Sequence, residues 1–225
     1  RSRAIVSFSF SSVDESTGAI VEPRVPPPSE RLEAIRFFKG QGIACGMFLL
    51  PVIPCVTDGA RMLEDSVARA SEAGVDFVIF GAMTLKEGRQ RDYFTARLGD
   101  RYPQLAAEYG RIYHGSRWGE PDEGYAESLG RAFGAIARRY RMPLRMPPAL
   151  YRDILGEDDL VVVILEQMDY LLRLNGERSL LGRAARSIAQ AGPLSAAKGH
   201  LRELPGVDET AERVVLEVLE TGRSC

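Results

Sequence analysis

Three serines, Ser7, Ser9 and Ser11, alternate with Val6, Phe8 and Phe10 near the start of the chain. A hydroxyl both donates and accepts hydrogen bonds, so such a row suits ribose or carboxylate oxygens. A hydrated polar face of an edge strand accounts for the same alternation. The thiols are Cys45, Cys55 and Cys225. Three is odd and sparse, which excludes a disulfide framework, and the spacing is wrong for a shared metal. Cys45 reads as a small buried apolar residue. Cys55 falls in a loop, where a thiol could donate a hydrogen atom. His114 and His200 each lack a neighbouring His, Cys or spaced carboxylate, so both read as surface or hydrogen-bonded residues rather than metal ligands. No H-E-x-x-H, G-x-S-x-G, Walker loop or dinucleotide fingerprint occurs, so hydrolase and nucleoside-triphosphate readings have no support.

Two stretches carry a nucleic-acid signal. From Arg131 to Arg152 the chain has Arg131, Arg138, Arg139, Arg141, Arg145 and Arg152 with no acid, and Phe133, Tyr140 and Tyr151 lie between them. Arginines neutralise phosphates and aromatic rings stack on bases. A solvated basic face balanced by acids elsewhere explains the stretch equally simply. The second is Leu201-Arg-Glu-Leu-Pro-Gly-Val-Asp-Glu-Thr-Ala211, which resembles a helix-hairpin-helix module of consensus L-P-G-V-G-x-x-T-A. Gly206 and Val207 would present backbone amides to a phosphate there. Asp208 replaces the second glycine; it makes a good N-cap but repels phosphate. Seven basic and seven acidic residues from Glu177 onward leave no net positive field.

These residues need elements to position them. At 225 residues, 45% hydrophobic and 27% charged with net charge −2, the chain can bury a core, and wholesale disorder is excluded. No apolar run reaches the length of a membrane span, and no signal peptide is visible. A cytoplasmic protein is the expectation. Period-two alternation predicts a strand over 4–11. Val25-Pro-Pro-Pro-Ser29 predicts an extended linker, with Ser29 capping a helix to Gly40. Ile43 to Leu50 predicts a strand covered on both faces. Pro51 to Asp58 predicts a loop, with Asp58 capping a helix to Ala73, and Val75 to Phe80 a third strand. This order indicates parallel βα units. Helices are then expected over 89–98, 103–113, 124–140, 157–175, 178–191, 194–203 and 209–221. The 157–175 helix carries an apolar stripe of Leu160, Val161, Ile164, Leu165, Met168, Leu171 and Leu172.

The order and spacing of several segments are more specific than any one of them. Val6-Ser-Phe-Ser-Phe-Ser-Ser-Val-Asp14 is followed by Glu22-Pro23, by Arg31-Leu-Glu-Ala-Ile35, and by Leu50-Pro-Val-Ile-Pro54 with Asp58. Ile112-Tyr-His-Gly-Ser-Arg-Trp-Gly-Glu120 comes later. Together they resemble the second half of a radical S-adenosylmethionine (SAM) barrel, in the DNA repair photolyase branch related to spore photoproduct lyase. That branch has a V-x-V-S-I-T-T strand, an E-P loop, an R-L-E-A-I helix, an A-P-V-I-P-G-x-N-D loop and an L-Y-x-S-R-W-G segment. Here Cys55 stands where the loop usually has Gly, and Thr57 where it has Asn. The likeness covers roughly Ile5 to Tyr140.

The resemblance implies an α/β fold: strands four to six of a partial parallel (β/α)6 barrel over 1–146. An all-α region over 147–225 follows, with the helix-hairpin-helix-like motif near 194–221. It implies S-adenosylmethionine as cofactor, with Ser9 on the ribose and Ser7 and Ser11 on the same face. Val78 and Phe80 would flank the adenine through the backbone, and Pro51 would border the cofactor. It also implies a 4Fe-4S cluster held by a C-x3-C-x2-C loop. No cysteine here fits that loop, so the ligands are expected upstream of Arg1, with this chain a carboxyl-terminal portion that is inactive alone. The implied activity is lyase-like DNA repair, with DNA and the missing barrel half as partners. Alternatives are a non-catalytic nucleic-acid-binding protein and a scaffolding domain with a degenerate barrel.

Overall fold

The computed structural model describes residues 4–194 and 199–223. Cys225 and part of the expected 194–203 helix lie outside the described residues. The chain divides into two compact units, Arg1–Met146 and Pro147–Cys225.

The first unit is mixed α/β around a three-stranded parallel sheet in the order β1-β2-β3. The strands are β1 (Ile5–Phe10), β2 (Ala44–Val52) and β3 (Phe77–Ala82). Register places Val6 beside Cys45, Phe8 beside Met47, and Phe10 beside Leu49, which in turn neighbours Phe80. Because side chains alternate across a strand, these residues share one face. Helix α2 (Pro28–Gly40) covers it: Phe38 meets Phe8, and Arg31 lies over the Phe10 ring. Phe133 of α6 (Glu123–Tyr140) stacks on Phe80, with centroids 4.1 Å apart. The opposite face carries Ser7, Ser9, Gly46, Phe48, Phe77 and Ile79. The Phe77 ring closes over Gly46 so tightly that a Cβ there would sit 2.3 Å from its Cζ and 2.7 Å from Ser7 Oγ. Only glycine fits that contact.

Several local expectations are corrected. Helix α1 (Glu15–Val21) was not foreseen. Asp14 caps it, accepting from the Thr17 amide at 2.7 Å. Hydrogen bonds from Ser16 and Thr17 hold the Asp14 carboxyl below its ordinary range. Ser29 does not cap α2. Pro28 already occupies the first turn, where a missing N–H costs nothing. The Ser29 amide instead donates to Glu15 Oε1 at 2.8 Å. Helix α3 (Ala60–Glu72) starts after Gly59, because the Asp58 carboxylate is engaged by Tyr125. β2 runs through Pro51 to Val52, and β3 begins at Phe77 and runs to Ala82. Beyond β3 come α4 (Arg89–Arg101), a 3-10 turn, α5 (Ala106–Ile112) and α6.

The second unit is helical among the described residues. It comprises α7 (Glu157–Leu174), α8 (Leu181–Ala191) and α9 (Glu209–Thr221). Val161, Ile164 and Leu165 of α7 pack with Leu181, Ala184 and Ile188 of α8 and Val214, Val215 and Val218 of α9. Leu171 stands outside this stripe and is exposed. Where an α-helix was expected, Leu201–Glu203 forms a 3-10 turn. Asp208 caps α9, accepting from the Ala211 amide. No helix among the described residues is long and apolar enough to cross a membrane.

Candidate functional site

The carboxyl ends of all three strands lead to one side of the first unit. β1 leads to α1, β2 to the loop over 53–58, and β3 to the segment before α4. In parallel α/β proteins this is where ligands bind, since the loops there are free to carry chemistry.

Ser9 is exposed on the uncovered face at this end. Its hydroxyl donates to the Leu50 carbonyl at 2.9 Å, which ties β1 to the bond before Pro51. The oxygen keeps lone pairs with which to accept. Ser7 lies half-buried on the same face, one turn of the pleat back. Ser11 does not join them: it follows the end of β1, is buried, and offers its amide to Glu22 Oε2 at 3.4 Å. Nor do Val78 and Phe80 point toward the serines. Their side chains lie on the helix-covered face, and the Val78 amide already donates to Pro143 O at 2.8 Å. Pro51 is half-buried within β2.

An unforeseen clamp fixes the end of the serine strand. Arg31, only 7% exposed, donates to the Ser9 carbonyl at 2.5 Å and to Glu22 Oε2 at 3.0 Å. Its partner belongs to the Glu22-Pro23 segment. Two stretches that read as separate motifs in sequence therefore meet as one partly buried ion pair.

The loop after β2 sits on a cluster of phenols. Tyr109 donates to Pro54 O at 2.8 Å, Tyr113 to Met83 O at 2.7 Å, and Tyr125 to Asp58 Oδ2 at 2.9 Å. Burial first pushes all three phenols far above the ordinary range, helped by Tyr113 and then Cys55 and Asp58 at Tyr109, by Asp58 and Cys55 at Tyr113, and by Asp58, Tyr113 and Cys55 at Tyr125. A phenol whose folded-state pKa is raised contributes stability below its unfolded pKa, near 10, and loses it as pH rises above that value. Alkaline titration of the intact chain should therefore leave these three un-ionised until the unit unfolds. Tyrosinate absorbance that reached its full amplitude before any loss of far-ultraviolet circular dichroism would contradict this.

Cys55 stands at the crest of that loop, exposed, with φ +59°. Glycine reaches this left-handed region freely, whereas other residues incur about 1–2 kcal/mol. Partial desolvation by the surrounding loop, and then Asp58 and Glu108, push its thiol up, so at neutral pH it is a thiol and not a thiolate. Cys45 is buried in the sheet. His114 and His200 are exposed, each hydrogen-bonded through Nδ1, to Arg111 O and Glu203 respectively. Among the described residues no group of three or more His, Cys, Asp or Glu could hold a metal ion.

The basic stretch lies elsewhere. Arg138 and Arg139 belong to the last turn of α6, on the helix-covered side, and Arg139 pairs with Glu64 of α3 at 3.1 Å. Arg141 ends the helix in a left-handed conformation. In the second unit Gly206 turns the chain with φ +84°, against the stem of Arg183. Val207 is a core residue, and its amide already donates to Leu204 O at 3.1 Å, so it has none to offer a phosphate.

A concavity of the first unit was missed altogether. A groove of about 790 Å³ runs between α1 and α4, floored by Ile53 and Val56 from the loop after β2. Its volume falls within the range of ligand clefts, about 300–1,000 Å³. Arg24, Arg97 and Arg101 stand along it.

Among curated proteins the chain is similar to an uncharacterized protein of Acidianus two-tailed virus. The two are 29% identical over 119 residues, covering 50% of this chain and 39% of the relative. It is also similar to an uncharacterized protein of Mycobacterium tuberculosis and another of Mycobacterium bovis, each 26% identical over 137 residues. That match covers 61% of this chain and 39% of either relative. The chain thus spans about two fifths of the length of the relatives it matches. No family model and no solved structure matches it.

Proposed function

We propose that this chain is the carboxyl-terminal portion of a radical S-adenosylmethionine iron–sulfur enzyme acting on nucleic acid. The observation that carries the reading is the parallel sheet with one face under helices and the other bearing Ser7 and Ser9 toward its carboxyl end. On this reading β1, β2 and β3 are strands four to six of a partial barrel, and the uncovered face is its interior. Ser9 would hold the ribose, since its exposed oxygen retains acceptor capacity beside the Leu50 carbonyl. Pro51 would border the cofactor, and Val78 and Phe80 could contribute backbone alone. The cofactor, when bound, supplies the radical chemistry; this chain's part is to orient it. No group of the described residues fits a 4Fe-4S cluster, and on this reading its ligands lie upstream of Arg1. In the second unit the helix-hairpin-helix-like reading over about 194–221 rests on the Gly206 turn and α9, with a 3-10 turn at Leu201–Glu203 before them and Asp208 and Glu209 weakening its pull on phosphate.

The test is the coding sequence upstream of Arg1 and the longer protein it encodes. An in-frame C-x3-C-x2-C loop is expected, as are a reconstituted four-iron cluster and reductive cleavage of S-adenosylmethionine. Ser9→Ala should weaken cofactor affinity roughly fivefold, the loss of one hydrogen bond. A start codon near Arg1 with no cysteine loop would sink the proposal.

A further inference from the structure

We infer that the groove between α1 and α4 is a binding site for single-stranded nucleic acid, with Arg24, Arg97 and Arg101 on its phosphates and Tyr93 on a base. The inference deepens the nucleic-acid part of the reading above and moves it to different residues from those the sequence singled out. Three observations support it.

The first is position. The groove is bounded by the elements that follow β1, β2 and β3, so an occupant lies beside the carboxyl ends of the strands. The arginines of α6 lie on the helix-covered side, and Arg139 is already paired there.

The second is charge. Asp100 is the one carboxylate among the described residues lining the groove, against three arginines. It lies 3.9 Å from Arg97 in a pair exposed to solvent, which holds little energy. Neither Arg24 nor Arg101 makes an ion pair among the described residues. A groove with two uncompensated guanidiniums favours a polyanion, and the guanidinium fork matches phosphate.

The third is the company those charges keep. Tyr93, Phe94 and Tyr102 line the same wall, and Arg97 lies over the Tyr93 ring at 5.4 Å. Tyr93 is 64% exposed. An acidic peptide would use the cations and leave the flat rings idle, whereas a single strand uses both: its phosphates take the cations and its bases have faces to stack.

The experiment is fluorescence anisotropy of the complete chain with a labelled oligothymidylate of about twelve nucleotides, within the site sizes of single-strand-binding folds. Affinity is measured over a series of salt concentrations. The triple variant Arg24→Ala, Arg97→Ala, Arg101→Ala should bind at least tenfold more weakly and lower the salt slope by about 2. Tyr93→Ala should weaken binding at least fivefold with the slope unchanged, as stacking loss requires. The control triple Arg138→Ala, Arg139→Ala, Arg141→Ala should bind as the parent does. Circular dichroism confirms that each variant is folded. As a readout independent of variants, a 4-thiothymidine oligonucleotide should photo-crosslink to peptides covering 89–102. The site is wrong if the groove triple binds like the parent, if the control triple loses as much, or if crosslinks fall only outside the groove. Competition by polyglutamate as strong as by unlabelled oligonucleotide overturns it in favour of an acidic protein partner. No cofactor enters these measurements, so their failure is separate from failure of the iron–sulfur reading.

Discussion

Gly119→Ala should dislodge the 113–119 loop from the end of β3 and destabilise the first unit by about 3–5 kcal/mol. Gly119 adopts φ +72°, where an L side chain is strained. The steric problem is worse than the dihedral one. A Cβ at this position would fall 2.1 Å from both Leu85 C and Lys86 N. Those are backbone atoms, which cannot swing aside as a side-chain tip can. The contact is close because the Leu85 amide donates to Gly119 O at 2.6 Å, while Tyr113 donates to Met83 O from the other end of the loop. Trp118, the sole tryptophan, lies between them with Lys86 Nζ 4.4 Å from its ring. It is 59% exposed, so its emission reports the seating of this loop rather than the core. The expected result is a shifted Trp118 emission under native conditions and a lowered denaturant midpoint for the first unit. A variant with the parent's emission and midpoint would show that the loop relaxes around the added carbon, and would refute tight seating of Gly119 on the Leu85–Lys86 backbone.

The path from sequence to this site was legible where one local signal decided the outcome. Alternation of Ser with Val and Phe placed β1, and its two faces followed from period two. Asp208 before a regular apolar stripe placed α9 over 209–221, as observed. Legibility failed where a distant partner made the choice. Asp58 has every local feature of an N-cap, yet its carboxylate is taken by Tyr125, 67 residues away in sequence, and Gly59 takes the capping position. Helix α1 is seven residues with a glycine inside, too short for a period to show. The tripeptide Pro26-Pro27-Pro28 reads as extended chain, and only the fit of its last ring to the first turn of α2 makes it a helix start. The groove was invisible for a related reason. Arg97 and Arg101 look like ordinary solvated residues on α4 until the fold sets α1 and the loop after β2 beside them. Cys55 is a position where the backbone itself speaks: it is left-handed, a conformation glycine adopts freely and cysteine does not.

Arg31→Met should cost about 3–5 kcal/mol, although methionine covers much of the same apolar surface. The reason is what would remain. Glu22, 17% exposed, would be left half-buried with only the 3.4 Å hydrogen bond from the Ser11 amide, while the Ser9 carbonyl would lose its donor. The cost is then mostly the stranded carboxylate, not the lost attraction. A double-mutant cycle separates the two. If stranding dominates, Glu22→Gln placed in the Arg31→Met background should recover stability, because an amide is far less costly to bury unpaired than a carboxylate. The same replacement in the parent should destabilise. Arg31→Lys should rescue only in part, since an ammonium cannot span the Ser9 carbonyl and Glu22 as the guanidinium fork does, nor lie flat over the Phe10 ring at 4.6 Å. The consequence for the site follows from geometry. Arg31 and Glu22 together fix Ser9 O and Ser11 N, the backbone groups on either side of Phe10, and so set where the Ser9 hydroxyl stands at the end of β1. Loosening the clamp should raise amide exchange across 9–12 ahead of global unfolding. Additive single-variant costs, with exchange there unchanged, would mean that Arg31 and Glu22 act independently and that the strand end is held by the sheet alone.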